Sequence, residues 1–137
     1  MKNISILGST GSIGTNTLKV IEANQGAFDV KYLTAGNNAD KIIKQAREHK
    51  PAAVAIANQE KVSIVEKELS DNIEVLGGRE GILEIASRSD LDIVVNSIVG
   101  PAGMEPTYEV VKAGIDIALS NKESLVMAGS VIMDTAR

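Results

Sequence analysis

Hydrophobic positions along the chain alternate between two periods. Short β-branched runs, most of them apolar on successive residues, occupy residues 4–7, 30–34, 53–57, 73–76, 92–96 and 115–119. Apolar character without alternation suits strands of a parallel sheet covered on both faces. Stretches with helical spacing lie between them. Ala39, Ile42, Ile43 and Ala46 follow i, i+3, i+4, i+7, with Asp40, Lys41, Lys44 and Arg47 on other faces. Val62, Val65 and Leu69 repeat the spacing, as do Ile82, Ile85 and Ala86, and then Met104, Tyr108 and Val111 before Ala113 and Gly114 end that helix. Asn38 and Asn58 stand where N-caps belong. Strand and helix thus alternate to the end of the chain. That pattern predicts an α/β, Rossmann-like, doubly wound and mostly parallel sheet of about six strands, with helices on both faces and right-handed crossovers.

Length and composition are compatible with this reading and narrow it. The chain has 137 residues, enough for one domain with its own core. It is 44% hydrophobic but only 2% aromatic, so the core must be built from Ile, Val, Leu and Ala. A net charge of −4, with no basic block and few rings to stack on bases, argues against nucleic acid as a partner. The sequence has no Cys and one His, His49, which excludes thiolate zinc sites, thiol catalysis and any Ser-His-Asp triad built on another His. His49 just before Pro51 reads as a cation at a helix C-terminus. No apolar run reaches the length of a membrane span and no room is left for a signal peptide, so the expected location is the cytoplasm.

Glycines mark the strand ends: Gly8, Gly11 and Gly14, then Gly36, Gly77 and Gly78, then Gly100 and Gly103. In a sheet of this kind ligands bind beyond the carboxyl ends of the strands. The first of these turns is the most informative. A strand runs directly into Gly8-Ser9-Thr10-Gly11-Ser12-Ile13-Gly14, with a helix expected to begin near Ser12. Such a turn lets the backbone approach a pyrophosphate without Cβ clashes, and the helix start offers unpaired N–H groups and a positive dipole end. Gly8 would make the tight turn, Gly11 the close approach, and Gly14 the packing of helix on sheet. A P-loop does not fit, because no Gly-Lys-Ser/Thr follows.

NAD-specific sites place an acidic residue on the ribose hydroxyls about 20 residues further on. Here the second strand ends at Gly36-Asn37-Asn38, and Asp29 is at its wrong end. Without that carboxylate, and with amide donors and a helix start present, NADP is favoured over NAD. At the end of the sixth strand, Asn121, Lys122 and Glu123 stand on the expected ligand edge. They can be read as ligand contacts or as an N-cap followed by a first-turn acid. The loop from Gly100 to Pro106 also follows a strand, within reach of a cofactor.

Taken together, these segments resemble the 1-deoxy-D-xylulose 5-phosphate reductoisomerase family. The resemblance rests on residues 8–14, on Gly36-Asn37-Asn38, on Asn96-Ser97-Ile98-Val99-Gly100 with Ala102-Gly103, and on Ser120-Asn121-Lys122-Glu123-Ser124-Leu125-Val126. It implies an NADPH-dependent conversion of 1-deoxy-D-xylulose 5-phosphate to 2-C-methyl-D-erythritol 4-phosphate in the non-mevalonate route to isoprenoids, with Mg²⁺ or Mn²⁺ and a homodimeric full-length enzyme. By motif match, Thr10, Gly11, Ser12 and Ile13 would hold the pyrophosphate region of NADPH. Gly36, Asn37 and Asn38 would surround the 2′-phosphate, Asn121 and Glu123 would contact NADPH, and Lys122 would reach the substrate. Many members carry Lys or Arg where this chain has Asn37, so phosphate recognition is expected to be weaker here.

The family's acidic metal ligands belong to a second domain beyond the Asn-Lys-Glu helix. The expectation is therefore that residues 1–137 are the NADPH-binding domain, truncated before the catalytic, metal-binding domain, with no catalytic or metal-ligating residue in the chain. Such a fragment should bind nucleotide without turning over substrate. Two other readings stay open: the cofactor domain of another NADP-dependent oxidoreductase, and a stand-alone nucleotide-sensing module.

Overall fold

A computed structural model describes residues 1–24, 26–98 and 100–119. Six strands appear in it: β1 (Lys2–Leu7), β2 (Phe28–Ala35), β3 (Ala53–Ile56), β4 (Glu74–Gly77), β5 (Ile93–Asn96) and β6 (Asp116–Leu119). Between them run the helices α1 (Ser12–Ala23), α2 (Ala39–His49), α3 (Val62–Glu68), α4 (Gly78–Ala86) and α5 (Met104–Lys112). All pairings are parallel, in the order β4-β3-β2-β1-β5-β6. Each expected strand is present, its limits moved by a residue or two.

The order of the strands explains the two faces. From β1 the chain steps outward through α1, α2 and α3, then returns along α4 to β5 on the other side of β1. Ile4, Ile6, Val30, Leu33, Val54 and Ile56 meet Leu18 and Ile21 of α1, Ile42, Ile43 and Ala46 of α2, and Val65 of α3 on one face. Leu7, Tyr32, Ala53, Ala55 and Val94 meet Ile82, Ile85 and Ala86 of α4 and Val110 of α5 on the other. Aliphatic side chains fill both layers except at Tyr32, an aromatic ring buried in the second against the expectation of a core of Ile, Val, Leu and Ala alone, and each fully buried Leu or Ile contributes roughly 1.5–3 kcal/mol. The direction of winding reverses between β1 and β5. A crevice therefore opens above their carboxyl ends, as the connections leaving the two strands diverge.

The ends of the helices follow from their sequence. Asn38 caps α2, its side-chain oxygen accepting from Lys41 N at 3.1 Å. Lys50 closes the same helix in the left-handed region, at φ 50°, and Pro51 prevents its continuation. His49, the last residue of α2, pairs with Glu22 of α1 at 3.0 Å. Asn58 caps a short 3₁₀ turn, Gln59–Lys61, rather than α3 itself: its side chain accepts from Glu60 N, and α3 follows. No helix among the described residues is long and apolar enough to cross a membrane.

Candidate functional site

The Gly8–Gly14 turn is held from three sides. Gly8 takes φ +78°, a conformation that a side chain resists, and a Cβ there would also lie 3.2 Å from the Ser97–Ile98 backbone. Gly14 is needed for a different reason: its Cβ would come within 2.4 Å of Gly8 O and 2.5 Å of Ser9 Cα. The absence of a side chain is what allows α1 to start directly over the turn. From β2, Thr34 Oγ1 accepts from Gly8 N at 2.9 Å and Thr34 O accepts from Ser9 N at 2.8 Å. From β5's end, Ser97 Oγ donates to Leu7 O at 2.7 Å and Gly8 O at 3.1 Å.

From α2, the buried Gln45 accepts from Ser9 Oγ at 2.8 Å and donates to Ser9 O at 2.9 Å. A loop with its polar groups satisfied in this way is preorganised, so little ordering entropy remains to be lost on binding. Nearby, Asn96 donates to Gly103 O and Thr107 Oγ1, which sets the entry into α5.

α1 begins at Ser12 with Gly11 at its N-cap and no side-chain cap. Its first backbone N–H groups therefore face outward, where an anion is favoured by both hydrogen bonding and the helix dipole. They open onto a cleft of about 580 Å³ at the β1/β5 switch point. One wall is Gly8, Gly11, Ser12 and Ile13, the next Thr34, Ala35 and Gly36 with Ala57, the third Arg79, Ile82 and Leu83 of α4, and the last Ser97, Ile98, Pro101, Ala102, Glu105 and Pro106. This volume lies within the range of small-molecule sites. Ile13 is 47% exposed and faces the cleft unpacked.

Gly36 contrasts with Gly14. Among the described residues nothing lies within 4 Å of a Cβ built on it, and its φ is not positive. Those residues give no steric reason for glycine at the cleft wall, whereas a ligand lying against the backbone would.

The site-residue expectations divide into three groups. Gly11, Ser12, Ile13 and Gly36 come together on the cleft. Thr10 is half-buried inside the turn, and Asn37 and Asn38 line an adjoining depression of about 360 Å³ with Asp40, Lys61 and Ile64. Asn121, Lys122 and Glu123 lie outside the described residues.

The α4 wall was not legible in the sequence, although Gly77 and Gly78 at the end of β4 mark where it starts. Arg79 forms a two-pronged ion pair with Glu105 of α5. That hydrogen bonding, reinforced by the carboxylate's charge, raises the Arg79 pKa above its ordinary value. Among the described lining residues these are the only ionisable groups, and they neutralise each other. The cleft is built to hold a ligand, and no general acid or base stands ready in this part of it.

A divalent cation does not fit here. Mg²⁺ calls for several hard oxygen ligands, and among the described residues the one lining carboxylate is committed to Arg79. Glu22, Glu48 and His49 bring ligand atoms within 4.8 Å of one another, but between α1 and α2, away from the cleft.

A glycine-rich first turn, an uncapped helix start and a cleft at the switch point define a dinucleotide-binding domain of the Rossmann type. The sequence model of 1-deoxy-D-xylulose 5-phosphate reductoisomerase matches residues 4–129, and the chain belongs to that family. The Porphyromonas gingivalis enzyme of that name is 49% identical over 137 residues, which cover 99% of this chain and 36% of that relative. The chain therefore spans about a third of the length of the curated relatives it matches. A crystal structure of DOX-P reductoisomerase in complex with NADPH, fosmidomycin and magnesium superposes with a TM-score of 0.94 at 37% identity, over 99% of this chain and 34% of that one. The Zymomonas mobilis enzyme in complex with NADPH gives 0.93 at 32% identity, over 99% and 36% respectively.

Proposed function

We propose that this chain is the cofactor-binding unit of an NADPH-dependent reductoisomerase that converts 1-deoxy-D-xylulose 5-phosphate to 2-C-methyl-D-erythritol 4-phosphate. The observation that carries the reading is the uncapped start of α1 over a rigid glycine turn, opening on the switch-point cleft. Thr10, Gly11, Ser12 and Ile13 hold the pyrophosphate there through backbone N–H groups and the helix dipole. Gly36 lets the adenosine ribose lie against the backbone, and Asn37 and Asn38 face its 2′-phosphate. Asn121 and Glu123 contact the cofactor and Lys122 the substrate. When bound, NADPH supplies the hydride. The chain's own residues fix the cofactor's position and keep water from its inner face, through Ile82, Leu83 and Ile98.

Since the described residues of the cleft offer no unpaired carboxylate, the metal and most of the substrate are held by the part of the family's length that this chain does not span. The whole protein then acts as a homodimer in the cytoplasm on a small phosphorylated substrate, without nucleic acid. A titration followed by cofactor fluorescence tests the reading. NADPH is expected to bind this chain with no consumption of 1-deoxy-D-xylulose 5-phosphate. Absence of NADPH binding at millimolar levels sinks the reading, and turnover by this chain alone contradicts the division of labour.

A further inference from the structure

The loop after β2 is stitched to the loop after β3. Asn58 N donates to Gly36 O at 3.0 Å, Asn58 Nδ2 donates to Asn37 Oδ1 at 3.0 Å, and Lys61 Nζ donates to Asn37 O at 2.8 Å. The last contact places an ammonium group beside the backbone that follows Gly36, at the edge of the cleft and over the start of α2. In dinucleotide sites this is the strand end that discriminates NAD from NADP: a carboxylate there takes the ribose hydroxyls, a cation there takes the 2′-phosphate. No residue from Ala35 to Asn38 carries charge.

We propose that Lys61, from a different loop, is the cation that recognises the 2′-phosphate and sets the preference for NADPH over NADH. This rests on the cofactor reading above. An ammonium carries three donors, and Asn37 O uses one. The contact fixes the side chain before ligand arrives, which lowers the entropy lost on binding. Asp40 faces the same depression from the first turn of α2. Among the described residues lining the depression, no other cation opposes it, so without Lys61 the depression repels a dianion. Arg79, the cation on the main cleft, is already committed to Glu105.

The test measures NADPH and NADH dissociation constants for the chain and for two variants. Lys61→Gln keeps a donor for Asn37 O and removes the charge; Lys61→Arg keeps the charge. Lys61→Gln is expected to weaken NADPH at least tenfold, to leave NADH within threefold, and to weaken 2′,5′-ADP but not 5′-AMP. Lys61→Arg is expected to retain most of the NADPH preference. An unchanged NADPH-to-NADH ratio in Lys61→Gln overturns the inference alone. Failure of the unaltered chain to bind either dinucleotide overturns the cofactor reading and the inference together. Equal weakening of both dinucleotides assigns Lys61 a role in holding the loop and also overturns it.

Discussion

Gly14 and Gly36 differ in what replaces their missing side chains. At Gly14 the space is filled by the backbone of Gly8 and Ser9; at Gly36 no described residue fills it. Gly14→Ala is therefore expected to cost about 3 kcal/mol or more, seen as a drop in the urea midpoint, because rigid backbone cannot yield to a Cβ. Gly36→Ala is expected to leave the urea midpoint unchanged or slightly raised, while NADPH affinity falls about tenfold. Loss of stability at Gly36 would show that the position serves the fold.

Gln45 is the residue the sequence concealed. It sits in a helix rich in Lys and Arg and reads as one more exposed polar side chain, yet it is 5% exposed and clasps Ser9 from both ends. Polar burial of this kind depends on which loop lands above it, and no local pattern carries that information. Gln45→Leu is expected to destabilise the chain by about 1 kcal/mol or more, because Ser9 Oγ and Ser9 O keep only their longer contacts to Thr34 O at 3.2 Å and from Thr15 Oγ1 at 3.4 Å, and to weaken NADPH by loosening the turn. A variant with unchanged stability and affinity would show that the clasp is incidental.

At the scale of elements, most of the fold was readable because strand and helix have different periods. The Ala39, Ile42, Ile43, Ala46 stripe lies in α2 as drawn, and Asn38 caps it. The errors are local. Asn58 starts a 3₁₀ turn before α3, since capping chemistry is the same for both kinds of helix and the sequence signal does not separate them. Asn38→Ala is expected to cost about 1 kcal/mol by removing the hydrogen bond to Lys41 N. It should also lower NADPH affinity more than NADH affinity, since α2 begins at the depression proposed for the 2′-phosphate. Circular dichroism melts paired with both titrations check this, and an unchanged melt would mean that water replaces the cap without loss.

At the scale of the whole molecule, the site is a property of topology. Gly8 and Ser97 are far apart in sequence and touch because β5 returns to the side of β1. The strand-end glycines disclosed which edge of the sheet carries the cleft, but not which helix closes it. Arg79 and Glu105 come from α4 and α5, and their meeting depends on the packing of two elements whose own periodicities say nothing about each other. The motif residues on the first two turns were legible for the opposite reason. Their chemistry is local to a strand, a turn and a helix start.

The central claim is that this chain holds NADPH at the β1/β5 switch point. Backbone amide shift mapping on the ¹⁵N-labelled chain tests it most directly. On adding NADPH, the largest shifts are expected at Gly8, Gly11, Ser12 and Ile13, at Gly36 and Asn37, and at Arg79 and Ser97 around the cleft. Glu22, Glu48 and His49 between α1 and α2 should stay unmoved. Shifts centred on that second group, or none near Gly11 to Ile13 at saturating NADPH, would contradict the account.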